Sequence, residues 1–257
     1  MKILVLVKEV PDTYGDRVLD QETGLAQRAL GDAVLDEIGE RAVEVALSYA
    51  DANPGTDVVV LSMGRPEAVI TIRKALAMGV GSAVHVVDDA LIGADMVLTA
   101  DVLAAAAKRT GFDLVITGNQ STDGVAGMVP AMIADLLGIP AALNLTRVQI
   151  SEAGVSGERA TEVGSVEVDA DLPALISITE SLPDARFPNF KGIMAAKKKP
   201  FETLSLADLG VDSAATDARS IMIAVSVRPP RASGTTIIDE GDAGDRLAAY
   251  LVANRLA

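Results

Sequence analysis

The sequence predicts an α/β fold: a doubly wound, mainly parallel sheet with added antiparallel strands and an extended C-terminal arm. Up to Leu145, short β-branched runs alternate with longer stretches of helical periodicity, the pattern of a parallel sheet covered by helices. Beyond Leu145 the texture changes to short alternating runs broken by glycines, as in antiparallel strands. From Pro200 onward the chain carries too little apolar sequence to build a core of its own.

Five strands are readable in the first part: ILVLVK at 3–8, DVVVLSM at 57–63, SAVHVVD at 82–88, FDLVITG at 112–118 and AALNL at 141–145. Helical spacing relates Glu40, Val43, Leu47 and Ala50, then Ile70, Ala75 and Leu76, then Met96, Leu103 and Ala107. A fourth helix is expected from Asp123 to Leu137, stopped by Gly138 and Pro140. The stretch from Val148 to Thr179 is expected to add antiparallel strands at the sheet edge. The expected division is an α/β domain over 1–183, a loop over 184–200 and an arm over 201–257 that docks on a partner subunit or its own domain. In that arm IMIAVSV at 221–227 reads as one apolar strand, and DAGDRLAAYLVANRL at 242–256 as an amphipathic helix.

Charge and composition exclude several functions. With 36 acidic against 22 basic residues among 257, the net charge of −14 repels phosphate backbones, so nucleic acid is not an expected partner. Cysteine is absent, which removes disulfides and thiolate chemistry and fits a reducing, cytoplasmic setting. No run approaches the ~18–20 apolar residues of a membrane helix, and the apolar core of MKILVLVKEVPD is too short for a signal peptide. His85, the only histidine, lies in a strand and has no expected role. Asp36, Glu37, Glu40 and Glu44 fit a helix start, with Glu37 and Arg41 as an i, i+4 pair, better than a metal site; no metal and no catalytic residue is expected.

Two segments invite a functional reading. The loop Gly118–Val129 (GNQSTDGVAGMV) follows a strand and opens a helix, so its N–H groups suit a phosphate; an ordinary glycine-rich turn has the same spacing. In it Gly118, Gly124 and Gly127 allow close approach, Ser121 and Thr122 offer hydroxyls, and Asp123 suits the helix N-cap. Tyr14, in the loop after the first strand, is placed to stack on a planar ligand or simply to face solvent. The second segment, RFPNFKGIMAAKKKP, presents Phe187, Phe190, Ile193 and Met194 between turn-forming Pro188 and Gly192 and the lysines 197–199. It reads as a partner contact with an apolar anchor, or as a solvated basic turn.

VKEVPD at 7–12, ERAVE at 40–44, IRKALAMG at 72–79, GNQSTDG at 118–124, LPALISIT at 172–179 and FKGIMAAKKKP at 190–200 together resemble the electron-transfer flavoprotein β subunit, nearly end to end. The resemblance implies an adenine-nucleotide α-hydrolase-like fold and a heterodimer with an α subunit that carries most of an FAD site, while this chain binds AMP. It implies electrons arriving from acyl-CoA-type dehydrogenases, as in fatty acid oxidation, and leaving to a quinone reductase, with no membrane insertion. The AMP contacts it implies fall on Leu6, Asp36, Glu37, Ile38, Gly39 and Met63, and on Gly118, Asn119, Gln120, Ser121, Thr122, Asp123, Gly124, Val125, Ala126, Gly127, Met128 and Val129. Tyr14 and Ile38 would approach the flavin, and Phe190 the dehydrogenase. Against a family run of the type DGDTGQVG, this chain reads DGVAGMVP, so Ala126 and Met128 replace polar phosphate contacts; Asp36 replaces a common asparagine, and Ala160 an acidic residue. An adenine-nucleotide-processing enzyme and a stand-alone nucleotide-sensing module are the rival readings; the serine–glycine phosphate loop of the former is replaced here by KEVPDTYGD.

Overall fold

The apolar runs of the sequence become nine strands of one sheet and a separate two-stranded ribbon in the computed structural model, which describes residues 1–15, 18–28, 32–212, 218–234, 236 and 238–256. In chain order the elements begin with β1 (Lys2–Leu6), β2 (Glu9–Pro11), β3 (Ala33–Leu35), α1 (Glu37–Ala52), β4 (Asp57–Met63) and α2 (Val69–Met78). There follow β5 (Ser82–Val86), α3 (Met96–Thr110), β6 (Leu114–Gly118), α4 (Val129–Leu137) and β7 (Ala141–Ile150). The remainder are β8 (Gly154–Thr161), β9 (Gly164–Asp171), β10 (Ala174–Ile178), α5 (Phe190–Ala196), β11 (Phe201–Leu204) and α6 (Ala243–Ala253). The sheet runs β11-β5-β4-β1-β6-β10-β7-β8-β9, parallel from β11 to β7 and antiparallel across β7, β8 and β9.

Both faces are covered, because successive side chains of a strand point to opposite sides. Ile3, Val5, Val58 and Val60 pack with Ala42, Val43, Ile72 and Leu76 of α1 and α2. Leu4, Val59 and Leu61 pack with Leu103 and Ala107 of α3 and Ile133 of α4. Asp36 caps α1 and Asp95 caps α3, whose Leu98 N–H donates to the Asp95 carboxylate at 2.9 Å.

Four expectations change. The fourth helix begins at Val129 instead of Asp123: Val125 (φ 52°) and Gly127 (φ 66°) are left-handed, which breaks the helix, and Pro130 sits in its first turn. Strand β10 is not an antiparallel edge strand. It inserts parallel between β6 and β7, and all five of its residues, ALISI, are buried, with Ser177 accepting from Asn144 N–H at 2.8 Å. Phe201–Leu204, placed in the arm by the sequence, extends the sheet next to β5. IMIAVSV forms no strand; Ile221, Ile223 and Val227 are exposed, since an apolar run becomes a strand only beside a neighbour with free ladder groups.

The chain divides into two units, Met1–Ile223 and Ala224–Ala257. The second contains α6, on which Leu247, Tyr250 and Val252 are all exposed. Among the described residues no helix is long and apolar enough to cross a membrane.

Candidate functional site

Chain order runs from β1 outward through β4 to β5, then returns to β6 on the other side of β1. That reversal opens a crevice beyond the carboxyl ends of β1 and β6, where open α/β sheets take ligands. The crevice here is a cleft with about 810 Å³ of atom-free space, solvent at its mouth included. Leu6, Leu61, Met63 and Leu103 make an apolar wall; Asp36, Gly39 and residues 118–121 form the opposite rim.

The rim is held by two carboxylates, of Asp36, which is buried, and of Asp123, which is partly buried. Asp36 is 3 % exposed. One of its oxygens accepts from Ile38 N–H (3.1 Å) and Gly39 N–H (3.4 Å), capping α1; the other accepts from Thr122 N–H (2.7 Å) and Thr122 Oγ1 (2.9 Å). The helix start and the loop are thus tied through one side chain. Its extra charge relative to asparagine is met by four donors at the cleft rim.

Asp123 is not a helix cap. Its carboxylate accepts from Lys8 Nζ at 2.6 Å and Arg28 Nη2 at 3.0 Å, while Lys8 also donates to Ser121 Oγ at 3.2 Å. Burial pushes the Asp123 carboxyl up, but the Lys8 and Ser121 hydrogen bonds and the Lys8 and Arg28 charges outweigh it and hold the group at about 2. The native pKa lies below the ordinary 3.8, so this contribution to stability is present above about pH 4 and is lost as pH falls towards 2. Carboxyl-carbon NMR should place the Asp123 midpoint near 2; a midpoint near 4 would mean that the ion pairs do not form in solution.

Of the residues expected to hold nucleotide, Leu6, Asp36, Gly39, Met63, Gly118, Asn119, Gln120, Ser121, Ala126, Gly127 and Val129 line the cleft. Glu37, Thr122, Asp123, Gly124, Val125 and Met128 do not line it; Thr122 and Asp123 brace the rim from behind, and Val125 and Met128 are exposed. Ile38 is buried against the β6 turn, where a Cβ on Gly118 would lie 2.9 Å from Ile38 Cγ2, so glycine is required there. Tyr14 is fully exposed. Sequence reasoning missed Val7, Lys8, Leu61, Thr99, Leu103, Thr117 and Pro130 as lining residues; the helical period of 96–107 and the VKEVPD motif at 7–12 were signals that reached Leu103, Val7 and Lys8.

Val125 has a left-handed backbone without being glycine, a state that costs an L residue roughly 1–2 kcal/mol and a β-branched one most. Val125→Asn should relieve part of that strain and raise the thermal midpoint by about 2 °C. An unchanged or lower midpoint in scanning calorimetry would show that the loop tolerates valine freely.

Residues 26–209 match the electron transfer flavoprotein domain family. A relative from Mycobacterium tuberculosis, an electron transfer flavoprotein subunit beta, is 45 % identical over 99 % of this chain and 98 % of its own. The chain belongs to the electron transfer flavoprotein family. The β subunit of Bacillus subtilis is 32 % identical over 93 % of each chain. A protein of Acetobacterium woodii, the caffeyl-CoA reductase-Etf complex subunit CarD, is 33 % identical over 98 % of this chain and 97 % of its own.

In this family member the segment after β10 is braced at both ends. Arg186 donates to Glu44 through Nε (2.7 Å) and Nη2 (2.8 Å) and to Asp51 through Nη1 (2.9 Å). Burial raises the Glu44 carboxyl, but the Arg186 bonds bring it below its ordinary value, and the same bonds raise the guanidinium. Arg41, expected to pair with Glu37, pairs instead with Asp184 at 2.5 Å, because the incoming segment offers it a carboxylate and the Leu182 carbonyl. At the far end Lys199 Nζ donates to the Leu76 (2.9 Å) and Val80 (2.7 Å) carbonyls at the end of α2. Lys199 is therefore an anchor, whereas Lys197 and Lys198 are exposed.

Between these braces Asn189 caps α5, accepting from Gly192 N–H at 2.8 Å. Gly192 lies inside a helix and not in a turn, since its missing side chain lets α5 lie directly on the Ala77 carbonyl of α2. Phe187 (94 % exposed) and Phe190 (79 %) stand out from this platform, with Ile193 and Met194 about half exposed.

Proposed function

We propose that this chain is the electron-transfer flavoprotein subunit that binds AMP in the cleft between β1 and β6, pairs with an α subunit, and helps to hold an FAD carried mainly by that partner. The cleft at the sheet reversal, with its rim fixed by Asp36, is the observation that carries the reading. Its residues fit a mononucleotide. The wall of Leu6, Leu61, Met63 and Leu103 suits an adenine ring, and the Asn119 side-chain oxygen, buried with no hydrogen-bond partner among the described residues, is placed to accept from a base or ribose. Thr and Gln being absent from 126 and 128, backbone N–H groups of the loop and the Ser121 hydroxyl would face the phosphate.

The FAD, when bound, supplies the redox step, and this chain contributes only binding and orientation. Tyr14, exposed at the mouth of the first loop, is the side chain that would close over the flavin. Electrons enter from acyl-CoA-type dehydrogenases docking on Phe187, Phe190, Ile193 and Met194, and leave to a quinone reductase or similar acceptor. The A. woodii relative, named as part of a complex with a CoA-ester reductase, favours CoA-ester oxidoreductases as partners.

The test is acid extraction of the purified heterodimer, followed by chromatography of the released nucleotides. One FAD and one AMP per heterodimer are expected. Two FAD and no AMP would overturn the AMP assignment and place a second flavin in the cleft.

A further inference from the structure

We propose that Arg73 of α2 is the residue that positions the docking helix α5, by pinning its carboxyl end to the sheet edge through the Phe201 ring. The inference rests on the docking role given to α5 above and deepens it by naming what fixes the orientation in which Phe190, Ile193 and Met194 are presented.

Arg73 is half-buried, and its guanidinium meets no carboxylate among the described residues. It meets a carbonyl and a ring instead. Nη1 donates to the Ala196 carbonyl at 2.7 Å, and Cζ stands 5.0 Å from the centroid of the Phe201 ring. A flat cation can stack and donate at the same time, which a lysine ammonium on its flexible stem cannot do in one place. Phe201 is itself held: it pairs with Ala83 of β5 in the sheet, and its ring meets the His85 ring edge-on, with centroids 6.1 Å apart and planes at 82°.

Ala196 ends α5 and is buried. The last carbonyls of a helix lack partners within it and carry partial negative charge, so a cation there is stabilising. No basic residue lies in the last turn of α5, and Arg73 supplies the cation from the neighbouring helix. Gly192, nearer the start of α5, rests on the Ala77 carbonyl, and Arg73 and Ala77 are four residues apart on α2. One helix therefore grips the other at two points. A helix of seven residues has little stability of its own, and with the Ala77 contact alone it would be free to pivot there. With both contacts its orientation is set before a partner arrives, which lowers the ordering cost of association. The effect belongs to partner affinity and leaves the redox step untouched.

The experiment uses the full heterodimer with its α subunit, reduced by an acyl-CoA dehydrogenase in excess butyryl-CoA while the heterodimer concentration is varied. Arg73→Gln should raise the KM for the heterodimer about tenfold and keep kcat within about twofold. Arg73→Lys retains the charge but not the stacked plane, and Phe201→Leu retains apolar bulk but not the ring; each should raise KM about threefold. In hydrogen exchange, the amides of residues 193–198 should lose protection in Arg73→Gln while those of β1 and β6 keep theirs. A native KM in Arg73→Gln, whatever its thermal midpoint, would overturn the proposal and leave Arg73 a purely structural contact; so would a fall in kcat with KM unmoved. Should that variant not fold, a native KM in both Arg73→Lys and Phe201→Leu would overturn it instead. Phe190→Ala tells the two readings apart. If its KM is native, docking on α5 fails and takes this proposal with it; if its KM rises and that of Arg73→Gln does not, only this proposal fails.

Discussion

Gly192→Ala is expected to cut electron transfer from the dehydrogenase at least tenfold while leaving the rest of the fold intact. A Cβ at this position would be driven into the Ala77 carbonyl oxygen, which is helix backbone and cannot turn aside as a side chain would. Overpacking of this kind costs about 1–3 kcal/mol. A helix of seven residues, Phe190–Ala196, has no stability of its own to absorb it, so α5 should lift away from α2. Phe190 and Met194 then lose their fixed positions. Dehydrogenase-coupled dye reduction measures the loss, and Phe190→Ala is the control, removing the exposed anchor without disturbing the platform. Normal rates in Gly192→Ala would show that docking does not depend on α5 resting on α2.

Asp36→Ala should have the largest effect on the cleft. It removes an N-cap, worth about 1 kcal/mol, and also strands Thr122 N–H and Oγ1 beside a buried position. Together the losses come to about 3 kcal/mol, or a fall of roughly 6–10 °C in thermal midpoint. Without the tie between α1 and the loop, AMP affinity should fall at least a hundredfold. Asp36→Asn retains the acceptor that caps α1 but sets an amide N–H₂ against the Thr122 donors, so about half the stability loss is expected. If the alanine variant keeps both its midpoint and its AMP affinity, the Asp36 tie is not what shapes the rim.

Most of the scaffold was legible before the structure. The strands at 57–63 and 112–118 and the helices around Val43, Ala75 and Leu103 carry their burial in their periodicity, although Ile70, expected on the buried face with Ala75 and Leu76, is exposed. The errors fall where an element's state depends on a distant neighbour. LPALISIT is mostly apolar and its strand is buried throughout because β6 and β7 flank it, and local glycine spacing could not distinguish that from an edge hairpin. IMIAVSV is also mostly apolar and joins no strand among the described residues.

The site divides in the same way. The sequence located the glycine-rich loop, the α1 start and the aromatic segment, because glycines, caps and aromatics are local signals. It misassigned Asp123, since a short acid ahead of a helical run looks like a cap whether or not cations lie opposite. Lys8 and Arg28 are 115 and 95 residues away from it, and only folding makes them neighbours.

By itself, then, the sequence determined the alternating elements, the family resemblance and the candidate segments, all properties written within a few turns of chain. Tertiary structure alone decided the strand order that opens the cleft and the pairing of Asp36 with Thr122. It also decided the meeting of Lys8 and Arg28 at Asp123 and the seating of α5 on Ala77. Each of these is a contact between groups far apart in the chain, whose energy appears only when the sheet brings them within hydrogen-bond or van der Waals reach.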